Sequence, residues 1–479
     1  MADDLPCPEK ALMRSLELYE GHLGPTIHTM TKHLPLRRIG IFGHVGTQNL
    51  GDEIIIAAVI QNVRSRYPDA VIRAFTFNPD DTRVRHGIEA FPIRRVDSPS
   101  SKAVKSAKLE GIENEPKSSG SEHKSFKESL KKIPLLHGSL KAIQSAFSSI
   151  AGSFAETAFL ARSFKNLKGT DLLIIAGSGQ LTDHSGGAWA YPYTFYKWSL
   201  LARLLGTKIA FVSIGTSWIN SSLSKFFLKS ALSRAQYRSC RDESSGKQVD
   251  SLGLPQRNVV VVPDLAYSLQ LPASDKTSNG QNNPPVVGIN PIPFFHQNMW
   301  HKANQEIYEK YVETQAGFAS WLIDRGYSVR FFPTQLRADP PAIQDIIAAL
   351  NRKHPGLSGQ LLVDPPVRST DDLIAAMSRM DIVVAARYHG VLVSHLLHKP
   401  VLAVSYHPKT ADLMARMGQA KCTLDIEDCT LDALISRFTF LESQRKTIAA
   451  EFELRVPFCR TALASQYDQV FGLLEQTTV

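Results

Sequence analysis

Arg387, His389 and Lys409 are the residues whose types and spacing point most directly to chemistry. Arg387-Tyr-His389-Gly390 follows the apolar run Asp381 to Ala386 and opens a second apolar stretch, and Tyr406-His-Pro-Lys409 follows the run Val401 to Ser405. If each run is a strand and each following stretch a helix, His389 and Lys409 lie one strand-helix-strand unit apart and reach the same sheet edge. Arg387 and His389 then stand at a helix N-terminus, whose free N–H groups and positive dipole end favour an anion. Pro408 suits the first turn of the next helix and places Lys409 at a second such end. The three groups predict a site for a phosphate or carboxylate, with Arg387 able to grip it through two parallel hydrogen bonds. The alternative is that Arg387 and His389 cap strand ends and pair with carboxylates.

The elements that must position these residues follow an α/β rhythm. Short β-rich runs at Ile39 to Val45, Ala70 to Phe75, Ala90 to Val96, Asp171 to Ala176, Lys208 to Ile214, Tyr237 to Arg241 and Val259 to Val262 alternate with helix-length segments. A second series comprises Val286 to Asn290, Tyr327 to Phe332, Gln360 to Val363, Asp381 to Ala385 and Val401 to Val404. The fold class read from this rhythm is α/β, with two open, mainly parallel sheets facing a cleft. The boundaries are a helical lead-in over 1–37, a first domain over 38–270, a Pro/Asn/Gly/Ser-rich linker over 271–285, a second domain over 286–430, and helices over 431–479 that pack across both. Residues 98–132 carry eight lysines against five glutamates and little apolar content. They read as a basic insertion in the first domain, so part of the net charge of +9 says little about the site.

In open parallel sheets ligands bind beyond the carboxyl ends of the strands. Applied to the first domain, that rule selects Asn49, Gly51 and Asp52 after the first strand, Gly177, Gly179 and Gln180 after the fourth, and Arg241 after the sixth. Asn49 or Asp52 could equally cap the helix expected at Ile54. The glycines allow either a tight turn or close approach of backbone to a ligand. Residues 46–52 do not have the G-x-G-x-x-G spacing, and no G-K-[ST] is present, which disfavours dinucleotide and P-loop chemistry.

The remaining composition narrows the class. Five cysteines without a C-x-x-C pair argue against a disulfide framework or a structural zinc, and no set of His, Asp and Glu has convincing ligand spacing. No metal and no cofactor is expected. The aromatic residues lack a pattern interleaved with Lys and Arg, so nucleic acid is not an expected partner. The acidic N-terminus and the lack of a long apolar run predict a cytoplasmic chain, with room for peripheral contact at the inner face of the membrane.

At this point the chain resembles the polysaccharide pyruvyl transferases. The resemblance rests on Asn49-Leu-Gly51-Asp52-Glu53, Asp171 through Gly177-Ser-Gly179, Arg238-Ser-Cys-Arg241-Asp242, Val262-Pro-Asp264, and Arg387-Tyr-His389-Gly390 through Lys409, in the family's order. It implies a fold like that of GT-B glycosyltransferases, phosphoenolpyruvate as co-substrate, and a saccharide acceptor in free or lipid-linked form. It also implies that Arg241, Arg387 and Lys409 bind the donor together with His389. Gln180 stands where many relatives continue a glycine run, and the 98–132 insertion is unusual. Both differences bear on the acceptor.

For the chemistry, His389 is the first choice for a general acid, because imidazole titrates near neutral pH without perturbation. Asp52, on the opposing domain, is a candidate base. Two other readings are a nucleotide-sugar glycosyltransferase of the same architecture and a non-catalytic sugar-binding protein.

Overall fold

The computed structural model describes residues 36–43, 46–95, 154–184, 186–254, 259–271, 284–300, 303–355, 361–362 and 366–476. The first domain contains strands β1 (Arg38–Phe42), β2 (Val71–Thr76), β3 (Glu89–Pro92), β4 (Leu172–Leu181), β5 (Lys208–Thr216), β6 (Tyr237–Cys240) and β7 (Val260–Val261). Its helices are α1 (Leu50–Arg66), α2 (Pro79–His86), α3 (154–167), α4 (Tyr191–Leu204), α5 (Ser222–Ser233) and α6 (Glu243–Asp250). The second domain contains β8 (Val286–Asn290), β9 (Ser328–Phe331), β10 (Leu361–Leu362), β11 (Ile382–Ala385), β12 (Val401–Ser405) and β13 (Thr423–Asp425). Helices α7 (Gln305–Asp324), α8 (Asp339–Lys353), α9 (Thr370–Ser378), α10 (Tyr388–Leu396) and α11 (Pro408–Arg416) connect them, and α12 (Leu431–Gly472) closes the chain. The expected lead-in and basic insertion lie outside the described residues, as does most of the linker, apart from the ends at 36–37, 271 and 284–285.

Both sheets are parallel throughout, in the orders β3-β2-β1-β4-β5-β6-β7 and β10-β9-β8-β11-β12-β13. Each order reverses once, between β1 and β4 in the first sheet and between β8 and β11 in the second. A crevice opens at such a reversal because the connections on its two sides leave toward opposite faces. The central strands are buried almost without interruption, as expected where helices cover both faces. The domains are therefore Rossmann-like, and α/β alternation was legible in the sequence. Strand β13 was not, because Thr423–Asp425 is too short to show a period.

Helix α1 begins at Leu50, four residues earlier than the apolar pattern suggests. Asn49 is its N-cap: the side-chain carbonyl accepts from Gly51 N at 3.2 Å. Asn49 also enters an isolated antiparallel bridge with Gln335 of the second domain. Leu50 N donates to Thr334 O at 2.9 Å, and Leu336 N donates to Gln48 O at 2.9 Å. The start of α1 is thus stitched to the loop after β9. An apolar cluster runs from α1 through Ala266 and Tyr267 into Val391 and Leu392 of α10, and Tyr267 Oη lies 2.8 Å from His395 Nδ1.

Helix α12 spans both domains. Phe438, near its start, packs against Phe318, Trp321 and Tyr327 of the second domain. Near its end, Gln466 accepts from Ser239 Oγ at 2.5 Å and Tyr237 Oη at 3.3 Å, and donates to Ser213 Oγ at 2.9 Å in the first domain.

Candidate active site

A cavity of about 300 Å³ opens where the two sheet reversals face each other. It receives Asn49 and Asp52 from the start of α1, Ser178, Gly179 and Gln180 from the end of β4, and Arg241 from the end of β6. The second domain supplies Thr334, Gln335, Arg387, Tyr388, His389 and Tyr406. Lys409 stands at its edge: a Cβ placed on Gly179 would lie 3.6 Å from Lys409 Nζ and 4.0 Å from an Arg241 guanidinium nitrogen.

Asp52 and His389, from opposite domains, stand close enough at the start of α1 to shift each other's protonation. A Cβ on Gly51 would fall 2.0 Å from His389 Nδ1, so the missing side chain is what admits the imidazole against the helix start. The positive end of α1 disfavours an imidazolium there. Burial lowers the His389 pKa below its ordinary value, and Asp264 and Asp52 oppose the shift. His389 Nε2 is buried and has no hydrogen-bond partner. Asp52 is buried too, and desolvation raises its pKa to about 6 against the pull of His389 and a hydrogen bond with Ser178. Asn49 Nδ2 donates to Asp52 Oδ2 at 2.8 Å, holding the carboxyl in place. Ser178 bonds Asp52 from a backbone with φ of 81°, in the left-handed region that a non-glycine residue rarely occupies.

The three cations differ in how they are held. Arg241 donates to Asp264 Oδ2 at 2.8 Å, has Asp242 Oδ2 at 3.6 Å, and lies 4.5 Å over the Tyr388 ring. Burial works against its charge, but Tyr388, Asp264 and Asp242 hold its pKa above the ordinary value. Arg387 is the N-cap residue of α10, yet its Nε and one terminal nitrogen both donate to Asp339 Oδ1, at 3.0 and 2.6 Å. Asp339 is fully buried and spends Oδ2 on the backbone of Thr334 and Gln335. The expected two-bond grip of Arg387 on an anion is therefore not poised in this arrangement, because those donors already face a carboxylate. Lys409 Nζ donates to the Thr216 carbonyl, a neutral partner across the cleft. Burial, and then Arg241, lower its pKa to about 8. As the sequence predicts, Pro408 opens α11, and His407 caps it by accepting from Lys409 N.

Of the sequence-selected residues, Asn49, Asp52, Gly179, Gln180, Arg241, Arg387 and His389 line the cavity. Gly51 supports His389 from behind, and Gly177 packs against Ser213 O, Leu265 and Ile55 rather than lining the space. Gln180 is buried; its amide nitrogen donates to Gly177 O at 3.0 Å and its Oε1 has no partner. Thr334, Gln335, Tyr191 and the Asp339 partner of Arg387 were not anticipated. The rule that selected the other strand ends, applied after Phe331, would have found Thr334 and Gln335. Asp339 gives no such signal, since its role depends on a fold of the loop. Among the described residues, no three His, Cys, Asp or Glu side chains are placed to hold a metal ion, and no helix is long and apolar enough to cross a membrane.

Fold and cavity together define a GT-B-like protein of two Rossmann-like halves that face each other across a cleft. The model of the family described as "Polysaccharide pyruvyl transferase" matches residues 49–408. The chain belongs to the polysaccharide pyruvyl transferase family. Among solved structures, it is similar to a putative UDP-N-acetylglucosamine 2-epimerase from Listeria monocytogenes, with a TM-score of 0.53, 9% identity, and coverage of 92% of this chain and 98% of that one. It is also similar to UDP-GlcNAc 2-epimerase from Neisseria meningitidis, at TM-score 0.50, 13% identity, and 92% and 100% coverage. The corresponding enzyme from Methanocaldococcus jannaschii matches at TM-score 0.50, 10% identity, and 84% and 92% coverage. Identities this low speak to the fold alone.

Proposed function

We propose that this pyruvyl transferase takes its pyruvyl group from phosphoenolpyruvate and forms a cyclic ketal on a sugar of a polysaccharide or its lipid-linked precursor. The observation that carries the reading is the convergence of Arg241 and Lys409 beside a buried Asp52–His389 pair from opposite domains. Lys409, whose partner is a carbonyl, is the cation best placed to exchange that partner for phosphate. Arg241 and the starts of α10 and α11 add positive potential.

Phosphoenolpyruvate brings negative charge to a pocket in which His389 is held neutral. Its arrival favours the imidazolium, so donor binding loads the acid. His389 then gives its proton to the methylene carbon, which becomes the methyl group, and the central carbon turns electrophilic. A sugar hydroxyl bonds to that carbon while Asp52 takes its proton. The carbon–oxygen bond to phosphate breaks, with the electron pair leaving on phosphate. A second hydroxyl closes the ketal and returns a proton to His389, and the proton on Asp52 leaves with phosphate. One phosphoenolpyruvate and one diol thus yield one ketal and one inorganic phosphate. No metal or further cofactor enters these steps.

Steady-state kinetics separate the roles. Lys409→Met is expected to raise the KM for phosphoenolpyruvate about ten- to a hundredfold, the worth of one charge-assisted hydrogen bond. His389→Gln is expected to lower kcat by about 10² to 10⁴ with less effect on donor affinity. In the wild type, kcat/KM for phosphoenolpyruvate should fall above pH about 8 as Lys409 loses its proton, and Lys409→Arg should move that limb upward. Wild-type turnover in His389→Gln would remove His389 from the chemistry, and an unchanged donor KM in Lys409→Met would remove Lys409 from the donor site.

A further inference from the structure

Beside the cavity, on the first domain, four large apolar side chains, three of them aromatic, stand in solvent. Trp189 is 67% exposed, Trp218 66%, Phe226 58% and Leu223 39%. Trp189 and Phe226 belong to one aromatic cluster. Trp189 packs on Phe227 with ring centroids 5.6 Å apart, Phe227 on Tyr196 at 5.1 Å, and Tyr196 on Phe226 at 6.2 Å. Trp218 lies in the turn that leads into α5, and its carbonyl accepts from Asp183 N at 3.1 Å and Thr182 Oγ1 at 3.3 Å. Thr182 itself lines the cavity, so the patch adjoins the mouth.

The exposed charge on α5 beside the patch is basic. No Asp or Glu occurs between Asp183 and Asp242 in the sequence. Lys225 and Lys229 are exposed on α5, flanking Phe226. Among the described residues, Asp183 accepts from the backbone of Asn220 and Ser221, and Glu156 pairs with Lys197 and Arg95. Tryptophan and phenylalanine with flanking lysines on one face suit the interface of a bilayer bearing anionic headgroups, where rings enter the acyl boundary and ammonium groups meet phosphate.

We infer that the face formed by Trp189, Trp218, Leu223 and Phe226, with Lys225 and Lys229, seats the first domain on an anionic lipid surface and turns the cavity mouth toward it. This deepens the lipid-linked reading of the acceptor by giving it a docking surface. Vesicle binding is measured without turnover, so the docking surface and pyruvyl transfer can fail separately.

The test is flotation of the full chain with vesicles of phosphatidylglycerol and phosphatidylethanolamine, against vesicles of phosphatidylcholine alone. The wild type is expected to float with the anionic vesicles and to be released by salt. Trp218→Ala with Phe226→Ser should cut the partition coefficient at least about tenfold, and Lys225→Glu with Lys229→Glu by about tenfold or more. Leu454→Ala with Phe458→Ser, an exposed apolar pair on α12, should bind like the wild type. All variants should keep the wild-type melting temperature, since the positions are exposed. Three results would overturn the inference: no binding of the wild type to anionic vesicles, equal binding by the Trp218/Phe226 pair, or a patch that joins two copies, seen as a wild-type dimer that the pair converts to monomer without change in vesicle binding.

Discussion

Ionising Asp52 works against folding, because burial raises its pKa from 3.8 to about 6 and the folded chain holds that proton more tightly than the unfolded one. Stability linked to this group is greatest below pH about 4 and is lost as pH climbs through 6. At neutral pH the cost is on the order of 1 to 3 kcal/mol. Asp52→Asn keeps the shape and removes the charge. It is expected to melt higher than the wild type above pH 6.5 by that amount, to match it near pH 4, and to lose about 10² or more in kcat. Thermal melts across pH and one kinetic assay check both. Equal melting at pH 7.5 would mean that His389 and Ser178 fully compensate the carboxylate. The residue types of this site were readable from the sequence because each follows a strand. Their couplings were not: that Gly51 makes room for His389, or that Asp339 occupies Arg387, depends on residues distant in the chain that only the closed cleft brings together.

At the scale of elements, α12 sets how the two sheets face. Its first half packs Phe438 among aromatics of the second domain, and its second half inserts Gln466 among Ser213, Ser239 and Tyr237 of the first. Ser213 holds a φ of 48°, and its N–H donates to Ser239 Oγ at 2.7 Å, so this network also supports the irregular pairing of β5 with β6. Gln466→Ala would remove the acceptor of the buried Ser239 hydroxyl and the amide bonded to the buried Ser213 hydroxyl. It should lower stability by about 2 to 3 kcal/mol, and an unchanged melting temperature would show that α12 docks through its apolar contacts alone. The sequence indicates helices from Leu431 onward. A single helix running through Pro457 is less visible there, because proline usually ends a helix. The central strands were legible from their continuous apolar runs, and β7 and β10 from the short β-rich runs that contain them, whereas β13 is too short to carry a period.

For the molecule as a whole, the family fixes pyruvyl transfer, and the fold places two sheet reversals against each other with a cationic, partly buried space between. That arrangement fits the proposed donor site, drawn from Arg241 of the first domain and Lys409 of the second beside Asp52 and His389. Gln180 lies in the cavity wall with its amide nitrogen donating to Gly177 O and its Oε1 buried without a partner. The most direct test is to incubate the enzyme with phosphoenolpyruvate and hexosides bearing free 4,6- or 3,4-diols, without nucleotide sugars, and to follow inorganic phosphate together with the acceptor's mass and proton spectrum. Phosphate is expected to be released only when an acceptor is present, with one ketal formed per phosphate and one deuterium in the new methyl group when the reaction runs in D₂O. Absence of phosphate release from phosphoenolpyruvate with every acceptor, alongside transfer from a nucleotide sugar, would contradict that expectation.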